Sequence, residues 1–253
     1  MNAPAPIAPI EALRERIRCL EGRATHRRAV LPFGVNVIDE HLPEGGLAVG
    51  ALHEVAGGGN GAVDGAAAAL FAAGIAERTR GRVLWGVGRQ DLFAPALALA
   101  GITPDRVIYI EAGDEKVVLA CFEEALRHRR LGAVVAEVGR LSLTASRRLQ
   151  LAAEGSGVIG LALRRWRRQA DAADFGQPTA ATTRWRVTSL PSTPLPVPGV
   201  GRARWRLELV RCRDGESAEF EVEACDDKGR LALPSQNSGS LFAGRGRMTA
   251  FQG

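Results

Sequence analysis

The sequence predicts an α/β fold: a mostly parallel sheet covered by helices, followed by an antiparallel extension. Three observations predict it. Between Ala51 and Leu163, short apolar runs alternate with helix-period segments, which is the rhythm of βαβ units. Beyond Arg164 the helical period stops, and charged and apolar residues then alternate singly, as in half-buried strands. With 46% apolar and 24% charged residues among 253, the composition is that of an ordinary globular protein.

The elements follow in order. Residues 1–9 are rich in Pro and Ala and are expected to be disordered. Ile10 to Glu21 places Leu13, Ile17 and Leu20 on one helical face, and Gly22 ends it, so residues 10–29 read as a helical arm. In Leu31 to Gly50, Val35, Ile38 and Leu42 keep helical spacing between two glycine turns. Strands are then expected at Ala51–Ala56, Arg82–Val87, Val107–Glu111, Ala133–Val138 and Val158–Leu163. Helices are expected between them at Asp64–Arg78, Leu92–Ala100, Glu115–His128 and Thr144–Glu154. Residues 164–183 lack a period and read as a loop, and 189–200 is a proline-rich connection. Arg202–Val210 and Glu219–Cys225 read as a hairpin turning at Asp214-Gly215, which would set Arg206 opposite Glu223 and Arg202 opposite Asp227. Residues 234–253, rich in Gly, Ser and Arg, are expected to form a flexible tail. The sequence shows no internal repeat.

Composition excludes several classes. The longest uncharged apolar run, Ala66 to Ala76, is about half of what a membrane-spanning helix needs. The N-terminus, with Pro and Ala ahead of the first basic residue, does not resemble a secretory signal, so a cytoplasmic protein is expected. Cys19, Cys121, Cys212 and Cys225 form no CxxC pair and have no His cluster nearby, so reduced buried thiols and no metal are expected. Lys116 and Lys228 are the only lysines, so 31 of 33 basic residues are arginine in a chain of net charge +5. Arginine suits phosphate contacts, although a GC-biased genome gives the same skew.

The strand LHEV, the turn AGGGNG and the helix AVDGAAAALF stand in the order of a phosphate-binding loop. A working loop reads G-x-x-x-x-G-K-[ST], its lysine reaching the phosphates and its hydroxyl holding magnesium. Counted from Gly57, the second glycine is Ala62, the lysine is Val63 and the hydroxyl residue is Asp64. Gly57, Gly58, Gly59 and Gly61 remain. The loop thus admits three readings: a bare strand-to-helix turn, nucleotide binding without hydrolysis, or catalysis.

LPFGVNVIDEHLPEGGLAVGALHEVAGGGNG, residues 31–61, resembles the segment that leads into the phosphate loop in the RecA family. With GRLSLTASRRLQLAAEGSGVIGLALRR and FGQPTAATTRWRVTSLPS it resembles more closely the ImuA family, RecA-like proteins of the bacterial SOS mutagenesis cassette. The resemblance spans roughly residues 31 to 235, and implies a RecA-like domain over 30–233 with its core at 30–163 and a basic loop and antiparallel extension at 164–233. At the chemical positions the RecA pattern is not kept. Where that family carries a water-activating Glu, VLWGVGRQD has Gly88 or Arg89, with no carboxylate before Asp91. GAVVAEVGRL, in the place of Walker B, offers Glu137 alone. The first DNA-binding loop is absent, because Arg140 runs straight into LSLTASRRLQ. Phosphoryl transfer needs cation clamps and an oriented water, so no ATPase activity and no cofactor are expected.

Arg164 to Arg213 holds eleven arginines against Asp171, Asp174 and Glu208, a local +8 that exceeds the charge of the whole chain. Within it RRWRR, comprising Arg164, Arg165, Trp166, Arg167 and Arg168, corresponds to the second DNA-binding loop of RecA-like folds. Arginine neutralises phosphates and an indole stacks on bases. DNA contact, a protein interface and a solvated loop remain open readings for these arginines, whereas the hairpin arginines are expected to pair across strands. Trp185 and Trp205 fall on apolar strand faces and read as core. SGSLF at Ser238–Phe242 resembles clamp-docking peptides but lacks their glutamine.

The ImuA resemblance implies a non-catalytic accessory protein of SOS-induced translesion synthesis. Its implied partners are ImuB and a specialised C-family replicative DNA polymerase, with RecA and single-stranded DNA as further candidates and no membrane. The competing readings are a divergent DNA-dependent ATPase that remodels recombinase filaments, and a module that sequesters a recombinase or cell-division protein.

Overall fold

The computed structural model describes residues 29–234 except 60, 90, 167, 168, 194 and 196. The expected helix at Ile10–Glu21 and the tail beyond residue 234 lie outside the described residues.

Eight strands form one sheet. Its parallel part is β3 (Leu52–Gly57), β4 (Arg82–Val87), β5 (Val107–Glu111), β6 (Leu131–Val138), β7 (Ile159–Arg164) and β8 (Thr183–Leu190), and β9 (Arg204–Cys212) and β10 (Ala218–Glu223) extend it antiparallel. The spatial order is β10-β9-β8-β3-β7-β6-β4-β5, with β3 near the centre. A two-stranded ribbon, β1 (Val30–Leu31) with β2 (Leu47–Ala48), precedes it and encloses the short helix α1 (Asn36–Asp39). Asp39 tightens the turn before α1 by accepting from the Phe33 and Gly34 amides at 2.6 and 2.9 Å. Val35, Ile38 and Leu42, read as one helical face, are all buried.

Helices cover both faces. On one side lie α2 (Gly61–Glu77) and α3 (Ala94–Leu99), and on the other α4 (Glu115–Leu126) and α5 (Leu143–Ser156). The alanines of α2 are small for a reason. Ala67, Ala68, Ala72, Ala73 and Ala76 are buried against the sheet, and a Cβ on Gly74 would strike the Cys225 side chain. Phe71 fills the larger space, stacking on Phe33 at 5.7 Å and lying 5.7 Å from Trp185 and 6.4 Å from Trp205. Both indoles are in the core, as their strand positions imply. Helix α4 starts at Asp114, whose side chain accepts from the Lys116 amide, and α5 starts at Ser142, which accepts from Ala145, and ends at Gly157 in the left-handed region.

The hairpin forms in a register two residues from the expected one. Glu221 lies opposite Arg206 and Glu223 opposite Arg204, where Glu223 was expected opposite Arg206. A shift of two keeps every side chain on its expected face. The ladder closes at Ala218 with Leu209, and Asp214, at φ 66, takes a left-handed turn inside a longer connection than an Asp-Gly two-residue turn allows. Residues 164–183 are also more ordered than a loop: Gln169–Gly176 is a run of 3-10 helix. Among the described residues no helix is long and apolar enough to cross a membrane, and no group of three His, Cys, Asp or Glu could hold a metal.

Candidate functional site

In an open parallel sheet ligands bind beyond the carboxyl ends of the strands. Here that end carries the glycine loop after β3, Gly88 and Arg89 after β4, Glu137 near the end of β6 and Arg164 to Trp166 at the end of β7.

The glycine loop folds back on its own helix. A Cβ on Gly57 would come within 2.8 Å of the Asp64 carbonyl carbon, and one on Gly58 would overlap the Thr188 side chain, so both positions require glycine for close approach. The Gly58 amide donates to the Val187 carbonyl at 2.8 Å. The Gly59 amide donates to Asp64 Oδ2 at 2.8 Å, and the Ser189 amide of β8 donates to Asp64 Oδ1 at 2.9 Å. Asp64, 1% exposed, thus holds one amide of the loop and one of β8, and its place in the first turn of α2 favours a negative charge. Gly61 opens α2 at φ 50, and Val63, in the lysine position, is 52% exposed.

Glu137 is treated in the complementary way. The Trp85 indole donates to its Oε1 at 3.3 Å and Arg165 Nη1 donates to its Oε2 at 2.6 Å. Arg165 also grips both oxygens of Asp91, at 2.9 and 3.0 Å. Burial pushes the Glu137 carboxyl above the usual carboxylate range, and the Arg165 charge offsets this only in part. Burial also works against the Arg165 charge, but Glu137 and Asp91 outweigh it and hold the guanidinium protonated. A cavity of about 190 Å³ opens beside this pair, lined by Arg89, Glu115, Glu137, Arg140, Arg165 and Trp166 among others. The Arg140 amide donates to Glu115 Oε1 at 2.6 Å.

Arg164 is not where a surface contact needs it. It is 1% exposed, donates to Glu54 Oε2 at 2.6 Å and to the Gly139 carbonyl at 2.9 Å, and pairs closely with Asp174. Arg184 of β8 reaches the other Glu54 oxygen at 3.2 Å, where Thr179 also donates. Phe175 lies against Arg164, Arg184 and Arg186, at 5.9, 5.0 and 5.8 Å. Arg164, a candidate DNA contact whose reading was left open, is instead enclosed: a buried cation must be paired within the protein, and Glu54 and Asp174 pair it. Arg165 is turned to Asp91 and Glu137. Trp166 is half-buried, edge-on to Phe175 at 5.8 Å, with Arg164 over its ring. Arg167 and Arg168 lie outside the described residues.

Sequence reasoning passed over Glu54, Asp174 and Thr179. One signal was present: a lone Glu inside the apolar strand LHEVA is a buried charge that calls for a cationic partner.

Comparison with known proteins bears on the family and the fold. No protein-family model matches the chain. The RadB recombinase crystal structure matches with a TM-score of 0.54 at 15% identity, over 80% of this chain and 98% of that one, a likeness of fold. Protein ImuA from two strains of Caulobacter vibrioides is 41% identical over 205 residues, covering 77% of this chain and 83% of the relative. Identity of that extent, on a sheet with a RecA-like neighbour, places this chain in the ImuA family.

Proposed function

We propose that this protein is a non-catalytic RecA-like accessory factor of SOS-induced, error-prone translesion DNA synthesis. It acts by binding ImuB, and with it the specialised C-family polymerase, rather than by turning over nucleotide. One observation carries the reading. Both poles of the candidate nucleotide site are filled by the protein itself: Asp64 takes the Gly59 amide of the loop and the Ser189 amide of β8, and Arg165 takes the Glu137 carboxylate. A triphosphate would have to displace one carboxylate from its amides while facing no lysine, and magnesium would have to displace a guanidinium. Each clamp missing from phosphoryl transfer removes orders of magnitude in rate.

The test is direct. Isothermal titration with Mg-ATP, and ATP turnover with and without single-stranded DNA, should show neither binding nor stimulated hydrolysis, while the chain co-purifies with ImuB. Hydrolysis that survives purification and disappears on substitution near Gly57 to Asp64 would reverse the reading in favour of a DNA-dependent ATPase. Single-stranded DNA contact belongs to Trp166, Arg167 and Arg168 rather than Arg164. Replacing those three by alanine should weaken binding to a labelled oligonucleotide and flatten its salt dependence.

A further inference from the structure

At the opposite end of the sheet, the amino ends of β4 and β6 bring a second set of arginines together. The connections leading into these strands adjoin through glycine. A Cβ on Gly81 would lie 2.9 Å from the Arg130 carbonyl oxygen, and one on Gly132 would overlap the Arg80 carbonyl. Arg82 is the register partner of Leu131. The tertiary fold therefore sets the segment Arg80–Arg82 beside Arg127–Arg130, and Arg80, Arg82, Arg127, His128, Arg129 and Arg130 are all exposed.

Few acids answer them. Glu123 and Glu124 pair with Arg127 at 2.8 and 3.9 Å, and Glu124 lies 3.6 Å from His128. Arg129 donates to the Gly155 carbonyl at the end of α5 at 3.0 Å, which ties the row to that helix. Asp105, also exposed, acts on Arg82 through space, and exposed Glu154 precedes Gly155 in α5. Among the described residues Arg80, Arg82 and Arg130 make no ion pair.

We propose that this rim binds the phosphate backbone of duplex nucleic acid. Guanidinium groups recognise phosphate. Proteins that hold single strands add aromatic platforms for unstacked bases, and neither Arg80–Arg82 nor Arg127–Arg130 contains an aromatic side chain other than the imidazole of His128. A protein partner would want an apolar centre in the patch, and these two segments expose none. A row of cations without stacking or apolar surface matches a sequence-independent duplex contact. The surface lies at the far end of the strands from the glycine loop and the Glu137 cavity, so the inference stands apart from the function proposed above.

The test uses the full chain, a labelled duplex of about 30 base pairs and a single strand of the same length. Affinities are measured across a salt series for the wild type and for the triple variant Arg80→Glu, Arg82→Glu, Arg130→Glu, with thermal melting as the check on folding. The expected result is a duplex affinity at least tenfold weaker in the variant, with the slope of log affinity against log salt reduced by roughly 3 as three phosphate contacts are lost. Single-strand binding should not change. A milder pair, Arg80→Ala with Arg82→Ala, should give an intermediate loss. The proposal fails if the wild type does not bind the duplex, if the variant binds it with unchanged affinity and slope, if both nucleic acids are lost equally, or if polyglutamate binds the rim more tightly than the duplex.

Discussion

Two groups of arginines from one basic stretch of sequence end in opposite circumstances. Arg164 and Arg184 are enclosed around Glu54, which is wholly buried. Arg202, Arg204 and Arg206 lie at the surface on β9 and the residues just before it, pairing with Glu223, Glu221 and Glu219 at 3.4, 2.7 and 3.1 Å. The chemistry of each contact is the same. Burial separates them: removing one partner of an enclosed pair strands a charge in a low-dielectric interior, whereas an exposed arginine returns to water. Charge density along the sequence therefore says little about which arginines are available to a partner.

The sharpest way to break this comparison is Glu54→Ala. It leaves two buried guanidinium groups without their shared carboxylate and should cost about 3 to 5 kcal/mol, measured by urea unfolding. A loss near that of a surface pair would mean that water reaches the network.

The next effect is one of pH, from the neighbour of Glu54 on the same strand. His53 is fully buried between Thr183 and the Ala48 carbonyl, and burial lowers its pKa from 6.5 to about 4. The unfolded chain then binds a proton that the folded chain refuses. Stability is fully present above pH 6.5 and falls as pH drops toward about 4, by about 3 kcal/mol on linkage grounds. Denaturant midpoints across that window should show the slope, and a His53→Asn variant should flatten it.

Asp64→Ala should cost about 1 to 3 kcal/mol, because the Gly59 and Ser189 amides lose their acceptor. Inorganic phosphate should raise the melting temperature of this variant and leave the wild type unmoved. Failure of phosphate to stabilise the variant would show that the carboxylate is a packing feature and holds no latent anion site. At the surface end of the scale, Glu219→Ala should change stability by less than about 1 kcal/mol and less still in high salt.

The legibility of the fold followed its periodicity. Strands β3, β4, β6 and β7 were readable because a run enclosed on both faces must be apolar, whereas the ends of α5 at Ser142 and Gly157 lie outside the expected Thr144–Glu154. The hairpin was legible in its faces but not in its pairing, since alternation sets only parity and the register depends on how residues 210–217 close the connection. In the site, that Val63 and Asp64 stand where a phosphate loop carries lysine and a hydroxyl could be read directly. What Asp64 does instead could not, because its acceptor role needs the Ser189 amide, more than a hundred residues away.

From its sequence alone this protein is determined to be an α/β chain with a glycine-rich turn between a strand and a helix, because patterning is a local property. Tertiary structure alone decided which charges face inward. Glu54 meets Arg164 of β7 and Arg184 of β8, Asp64 meets the Ser189 amide of β8, and Glu137 meets Trp85 of β4 and Arg165 just past β7, and a carboxylate or guanidinium leaves water only where the fold has already built the group that will meet it.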